Sequence, residues 1–116
     1  MRTSAKKSSP RHPSERRAAR WYRLRAYRIL DANCWAGGYE LDLVVRRGRS
    51  LVFVEVKSKA GTGFGDPLEM VTPLKAARIR HAAAAWLAAY GAAGLDVRFD
   101  VVAVRGRRLE HLRGAF

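Results

Sequence analysis

Residues 38–59 read G-Y-E-L-D-L-V-V-R-R-G-R-S-L-V-F-V-E-V-K-S-K, and this stretch decides the fold of the chain. Val, Leu and Phe dominate its two halves, and Arg47, Gly48 and Arg49 supply the turn chemistry between them. Apolar runs of this length on either side of a glycine-containing turn predict two antiparallel strands joined as a hairpin. Because side chains alternate faces along a strand, one apolar face must pack against the rest of the chain. In the first strand that face is shared by Tyr39, Leu41, Leu43 and Val45.

The opposite face of the hairpin brings charged side chains together. A loop at residues 47–48 places Asp42 opposite Phe53, whereas a loop at residues 48–49 places it opposite Glu55. In both registers Asp42, Glu55 and Lys57 project from the same side, within diagonal reach of one another. A slip of one residue would instead put Asp42 among the valines, which burial forbids. The sequence therefore predicts two carboxylates and an ammonium group on one face of a stiff hairpin.

A solvated outer face would explain these charges, but their surroundings argue against it. Glu55 and Lys57 lie beside Leu51 and Phe53, in a strand that is otherwise as apolar as one covered on both sides. An acid buried in such a place needs a cation, either a lysine or a metal ion. Carboxylate oxygens suit Mg²⁺ or Mn²⁺, which need only one or two of them from the protein. A lysine two residues away could orient an attacking water or offset charge that develops on a phosphate.

Seven segments form an ordered set along the chain: residues 14–19 (S-E-R-R-A-A), 27–30 (Y-R-I-L), 40–43 (E-L-D-L), 53–57 (F-V-E-V-K), 71–75 (V-T-P-L-K), 99–103 (F-D-V-V-A) and 114–116 (G-A-F). Together with the spacing D-x12-E-x-K, this set resembles the P-D-(D/E)-x-K nuclease superfamily. The match sharpens to the YraN-like proteins, which are similar to archaeal Holliday-junction resolvases. The resemblance covers about residues 14–116.

The resemblance implies an α/β (α+β) fold with a restriction-endonuclease-like αβββαβ core, in which helices flank a mixed central sheet. It implies that Asp42 and Glu55 hold a divalent metal, Mg²⁺ or Mn²⁺, and that Lys57 assists the attacking water. Glu15, on the first helix, matches the acid that often completes such sites. Glu40 shares the face of Asp42 one step nearer the start of the strand, and we treat it as a further candidate metal ligand.

Four positions depart from the family pattern, and none belongs to the catalytic set. Leu41 replaces the proline of the superfamily motif, and Ser14 stands where the family usually has glycine. Ala26 occupies the place of the glycine that usually ends the first helix. Tyr39 stands where glycine is frequent, and its ring would narrow the cleft.

The net charge of +13, from 23 Lys and Arg against 10 Asp and Glu, favours a polyanionic partner, most simply nucleic acid. A ribosomal or membrane-surface role would explain the same charge. The single cysteine, Cys34, excludes an intramolecular disulfide and fits a reducing compartment. The basic N-terminus lacks the apolar core of a signal peptide, and the longest weakly polar run is too short to span a bilayer. We therefore expect a cytoplasmic protein without a membrane partner.

Element signals outside the hairpin complete a single domain over residues 14–116, preceded by a disordered basic tail over residues 1–13. Ser14 is the expected N-cap of a helix that runs to about Arg25. Thr72 and Pro73 start a second helix, over residues 74–90. Strands are expected at residues 27–33 and 97–104, with a further short strand open at the C-terminus.

Basic residues near the predicted cleft are candidate phosphate contacts. Lys75, Arg78 and His81 follow three-residue spacing at the start of the second helix, where a solvated basic edge is the alternative reading. Lys59 and Arg46, at the ends of the central strands, are assigned to nucleic-acid binding as well.

Two functions are consistent with this pattern. The first is a metal-dependent endonuclease that hydrolyses DNA phosphodiesters, with branched or junction DNA as substrate. The second is a non-catalytic DNA-binding module on the same fold, which serves partners in recombination, repair or DNA uptake. The presence of Asp42, Glu55 and Lys57 together favours the first. Because a four-way junction is resolved by two cuts, a homodimer is an open expectation.

Overall fold

The computed structural model describes residues 10–59, 71–91 and 93–116, with Lys59 described by its backbone alone. Within these ranges the chain forms two helices and five strands, in the order α1 Pro13–Arg23, β1 Arg28–Ala36, β2 Tyr39–Arg47, β3 Ser50–Lys59, α2 Pro73–Tyr90, β4 Asp96–Arg105 and β5 Arg108–Leu112. The five strands form one sheet in this sequential order, with β3 and β4 parallel and every other pair antiparallel. This mixed sheet with two helices confirms the αβββαβ core, and β5 adds the short last strand.

The central hairpin has the second of the two predicted registers. Arg47 pairs with Ser50, so the loop consists of Gly48 and Arg49. Gly48 has a φ of +60°, a conformation that glycine adopts without steric cost and that tight hairpin loops require. The parallel partner β4 then covers the free edge of β3 along ten residue pairs. The hairpin is therefore the middle of the sheet, which explains why β3 is apolar on both faces.

The two helices lie on opposite faces of the sheet. One core cluster joins Ala18, Ala19 and Tyr22 of α1 to Leu43, Val45, Val52 and Val54. A second cluster joins Ile79, Ala82, Ala83 and Trp86 of α2 to Val44, Leu51 and Phe53. The valine-rich pattern of the hairpin therefore serves two cores, and the charged groups sit at the end of the hairpin that lies away from its turn.

The prediction that Leu41 shares a face with Leu43 and Val45 is wrong. Leu41 and its cross-strand partner Cys34 pack on the α2 side of the sheet. A bulge interrupts β1 between Ile29 and Asp31, and Asn33 has a left-handed φ of 49°. Such irregularities increase the local twist of a strand pair, so the tip of the β1–β2 hairpin turns toward α2.

The start of α1 also differs from the expectation. His12, and not Ser14, is the N-cap, because Pro13 takes the first helical position, where its missing N–H costs nothing. The Nδ1 atom of His12 accepts a hydrogen bond from the backbone N–H of Ser14. Thr72 caps α2 and Gly91 ends it with a φ of 78°, as predicted. The first nine residues of the predicted tail lie outside the described residues.

None of the helices in the described ranges has the length and apolar character needed to traverse a lipid bilayer.

Candidate active site

The site begins where the regular pairing of the hairpin ends. The ladder runs from Arg47 opposite Ser50 to Leu43 opposite Val54, and Asp42 and Glu55 are the next residue on each strand. The Oδ2 atom of Asp42 accepts a hydrogen bond of 2.8 Å from the backbone N–H of Val56. The carboxyl group of Glu55 lies close enough for its charge to raise the pKa of Asp42. The two predicted acids are therefore neighbours in the folded protein.

Two lysines converge on the buried Glu55. Its Oε2 atom lies 3.0 Å from Nζ of Lys57 and 2.8 Å from Nζ of Lys75. Burial alone would raise the pKa of the Glu55 carboxyl, but the hydrogen bonds from Lys75 and Lys57 outweigh burial and hold it below its ordinary value. Glu55 is therefore ionised at neutral pH. Lys57 comes from the same strand, whereas Lys75 comes from the first turn of α2, where the hydroxyl of Thr72 accepts its backbone N–H.

The pKa of Asp42 shifts in the opposite direction. Burial, followed by the negative charge of Glu55, raises it from 3.8 to about 8. Asp42 therefore keeps its proton at neutral pH, beside the ionised Glu55. Burial, and next the hydrogen-bonded neighbour Lys75, lowers the pKa of Lys57 below its ordinary value. Burial of the cluster therefore disfavours the charged forms of Asp42 and Lys57, whereas the lysine contacts keep Glu55 charged.

Asp42 and Glu55 fit a small divalent cation. Their carboxyl groups are close enough for the charge of Glu55 to raise the pKa of Asp42, and Mg²⁺ or Mn²⁺ takes only one or two protein carboxylates and completes its coordination with water. No group of three or more His, Cys, Asp or Glu side chains lies within reach of one metal ion in the part of the chain that the structure describes. The two hairpin acids would therefore hold the cation, and the assignment stays a prediction.

Glu40 and Glu15 lie beside this pair without a hydrogen bond to it in the described contacts. Glu40 lines the same cleft as Glu55, and its Oε2 atom lies 3.4 Å from Nη2 of Arg11. Glu15 accepts hydrogen bonds from the backbone N–H of His12 and from Nδ2 of Asn33. It is close enough to Asp42 to contribute to the raised pKa of that carboxyl. Glu15 therefore joins α1 to β1 and adds negative charge behind the site.

The predicted basic residues separate into two places. Lys75 and Arg78 line a cleft of about 350 Å³ together with Glu40 and Glu55. Arg46 lies elsewhere, because its guanidinium donates to the carbonyl of Gly48 and to the hydroxyl of Tyr90, at the far end of α2. That end is roughly 22 Å from Lys75 along the helix axis. The structure therefore does not bring Arg46 to the cleft, and the side chain of Lys59 lies outside the described residues.

The ion pair between Lys75 and Glu55 is a contact of the candidate site that the sequence did not reveal. Lys75 was expected to bind phosphate, but its ammonium group lies on the central acid. The Thr72–Pro73 signal indicates that Lys75 belongs to the first turn of a helix. Where that helix begins relative to β3 depends on the packing of α2 against the sheet, which has no local signal.

The raised pKa of Asp42 leads us to expect that the stability of the protein depends on pH. Its carboxyl ionises near pH 4 in the unfolded chain and near pH 8 in the folded protein, so the free energy of unfolding should fall as pH rises between these values. Asp42→Asn should remove this slope and raise the free energy of unfolding of the metal-free protein at pH 8 by about 1–3 kcal/mol. This is less than the whole pKa shift would give, because the side chain is only partly buried and solvent screens its charge.

Urea unfolding from pH 5 to pH 9 in the presence of a chelator measures this effect. The exposed Asp96 is the matched control, and Asp96→Asn should keep the slope of the wild type. Equal slopes for the wild type and Asp42→Asn would contradict the raised pKa of Asp42.

The sequence of this chain matches one protein family over the helices and strands that form the site. Residues 14–104 match the family described as Uncharacterised protein family UPF0102. A UPF0102 protein of Beutenbergia cavernae is 50% identical over 105 residues, which cover 86% of this chain and 89% of that protein. A UPF0102 protein of Frankia alni is 54% identical over 93 residues, covering 76% of this chain and 78% of the relative. A UPF0102 protein of Geobacter sulfurreducens is 45% identical over 104 residues, covering 85% and 80%. This chain therefore belongs to UPF0102, the YraN family of the PD-(D/E)XK nuclease-like superfamily.

Proposed function

We propose that this protein is a divalent-metal-dependent endonuclease that hydrolyses DNA phosphodiesters, with branched or junction DNA as its substrate. The observation that supports this most is that Asp42, Glu55 and Lys57 lie together at the open end of the central hairpin, with Lys57 in contact with Glu55. Family membership adds a fold that hosts such chemistry. The net charge of +13 adds attraction for a polyanion. We place this activity in the cytoplasm, in keeping with the single cysteine.

Each residue of the cluster would have a distinct task in hydrolysis. Asp42 and Glu55 would hold Mg²⁺, which when bound supplies Lewis acidity at the phosphate and makes a coordinated water more acidic. In the reaction the oxygen of water attacks phosphorus and one P–O bond of the backbone breaks. Lys57, whose ammonium group contacts Glu55, would orient the attacking water and offset the charge that develops on the phosphate, while the proton of the water passes to solvent. Lys75 and Arg78 line the cleft and would offset the charge on the phosphate.

A specific observation favours the second function, a DNA-binding module that does not cut. Both acids of the cluster are already neutralised, because two lysines contact Glu55 and Asp42 keeps its proton. A metal must displace that proton, and the lysine contacts compete for the Glu55 oxygens. The two functions therefore differ in whether Mg²⁺ binds at concentrations present in a cell.

Cleavage of labelled four-way junction, flap, duplex and single-stranded DNA, with Mg²⁺, with Mn²⁺ and with chelator, tests the proposal. We expect the wild type and the control Asp96→Asn to cut DNA when metal is present, and neither to cut when a chelator is added. Asp42→Asn should lose cutting by at least about 100-fold while it still binds DNA in chelator, because it removes a metal ligand and leaves the cleft basic.

Three outcomes would change the proposal. Salt-sensitive binding without cutting of any substrate would favour the binding module. Cutting of a labelled RNA strand, added to the same assay, without cutting of any DNA would overturn DNA as the substrate. Resolution of a four-way junction by paired cuts needs two sites, so we also propose a homodimer, and a monomeric mass on the junction by analytical ultracentrifugation would contradict it.

A further inference from the structure

An aromatic and aliphatic wall adjoins the acid cluster. Tyr39 and Leu74 line the cleft that contains Glu55, and 39% and 61% of their respective surfaces are exposed. A second cavity, of about 300 Å³, shares Tyr39, Leu74 and Arg78 with this cleft and continues along α2 to His81. The proposed phosphate hydrolysis assigns no role to Tyr39 or Leu74. Its composition, a flat phenol ring and an alkyl side chain beside a cation, suits a ligand that is both planar and anionic.

The ring of Tyr39 is held in place from behind. It packs edge-on against the imidazole of His81, with 5.8 Å between ring centroids and an angle of 86°. The neighbouring Gly37, with a φ of +58°, lies so close to α2 that a Cβ atom there would be 2.9 Å from Cδ2 of His81. The tip of the β1–β2 hairpin is therefore seated tightly on the helix. Trp35, cross-strand from Glu40 and 59% exposed, is a second ring on the same tip.

Two basic side chains, Lys75 and Arg78, lie near the Tyr39 ring, where they could contact a phosphate. The guanidinium of Arg78 lies 5.8 Å from the centroid of the Tyr39 ring, and Lys75 lies on the cleft beside Glu55. A nucleotide has the matching chemistry, since its base can stack on an aromatic ring while its phosphate meets basic side chains. In a duplex the faces of the bases are covered by their neighbours, so only an unpaired base can stack on a protein ring.

We propose that Tyr39 is a stacking platform for an unpaired base next to the phosphate at the acid cluster. The position of that phosphate rests on the proposed function. The substrate is then DNA with a single-stranded segment at the cleavage site, such as a flap or a splayed arm, and continuous duplex is a poor substrate. Tyr39 thus determines substrate choice and takes no part in the bond-breaking step.

Binding measured in chelator tests this inference without reference to cleavage. Fluorescence anisotropy would compare three labelled probes: a short single-stranded DNA, a duplex of the same length, and a single strand that carries abasic sites in place of its bases. Tyr39→Ala should weaken binding of the single strand about tenfold, since one stacked base contributes about that factor. Binding of the duplex and of the abasic strand should stay within twofold of wild type. Tyr39→Phe, which keeps the ring, should bind all three probes like the wild type.

Tyr90 provides the matched control, because it is similarly exposed, at 37%, and lies at the other end of α2. Tyr90→Ala should leave single-strand affinity unchanged, with thermal unfolding used to check that each variant is folded. An unchanged single-strand affinity in Tyr39→Ala, or an equal loss for all three probes, would overturn the inference. If the wild type cuts no substrate but the probe pattern holds, the nuclease proposal fails and the stacking site stands. If the wild type cuts DNA but the probe pattern is absent, the nuclease proposal stands and the stacking site fails.

Discussion

Glu55→Gln should abolish cleavage, with a fall in single-turnover rate of at least about 1,000-fold, equivalent to about 4 kcal/mol in the activation barrier. Gln keeps the shape of the side chain but removes the only ionised carboxylate of the Asp42–Glu55 pair at neutral pH. It also leaves the ammonium groups of Lys57 and Lys75 without the anion that they contact. A cation would then meet two positive charges and one protonated acid, so both metal affinity and charge stabilisation at the phosphate are lost.

The rate should be measured on the best substrate at saturating Mg²⁺, together with Mg²⁺ binding by calorimetry. Glu110→Gln is the matched control, because Glu110 is also a strand carboxylate with a basic partner, Arg105, at 4.0 Å. It should cut like the wild type. DNA affinity in chelator should be retained by Glu55→Gln, since the substitution removes negative charge from a basic cleft. A Glu55→Gln rate within tenfold of wild type would show that the cleavage depends on another site.

Asp100→Asn should lower the free energy of unfolding by about 3–5 kcal/mol, the range found when one partner of a buried ion pair is removed. Asp100 is fully buried and accepts hydrogen bonds of 2.8–2.9 Å from Tyr22, Arg98, His111 and the backbone N–H of Gly114. An amide offers one acceptor oxygen and turns an NH₂ group toward these donors. The variant therefore leaves a buried cation and several donors without an acceptor.

The same network should fail in acid. Burial alone would raise the pKa of Asp100, but hydrogen bonds from His111 and Arg98 outweigh it and hold the pKa well below its ordinary value. The stabilisation is present above the pKa of an unfolded aspartate, near 4, and is lost as pH falls below that value. Urea unfolding at pH 7 and pH 3 should show a smaller difference between Asp100→Asn and the wild type at the lower pH. A loss under about 1 kcal/mol at pH 7 would contradict a structural role for this network.

These two acids show what local sequence can indicate. Glu55 was singled out because strand alternation and a short loop are local, so two registers were enough to place it near Asp42 and Lys57. The strand pattern of residues 97–104 predicts that Asp100 pairs with an arginine, and Arg98 confirms it, but other partners of Asp100 lie up to 78 residues away along the chain. Contacts of that kind depend on how α1 and the C-terminal segment close over the sheet, which no short pattern encodes.

By itself the sequence determined the hairpin, the shared position of Asp42, Glu55 and Lys57, and the start and end of α2, since each depends on residues within one or two turns or strands. Only the tertiary structure decided the hairpin register, the approach of Lys75 to Glu55, the turn of Leu41 and Tyr39 toward α2, and the distance of Arg46 from the cleft. The physical reason is burial. The proton on Asp42 and the compensating lysines on Glu55 result from desolvation by two cores and from charges on separate elements, and these exist only once the sheet and both helices have packed.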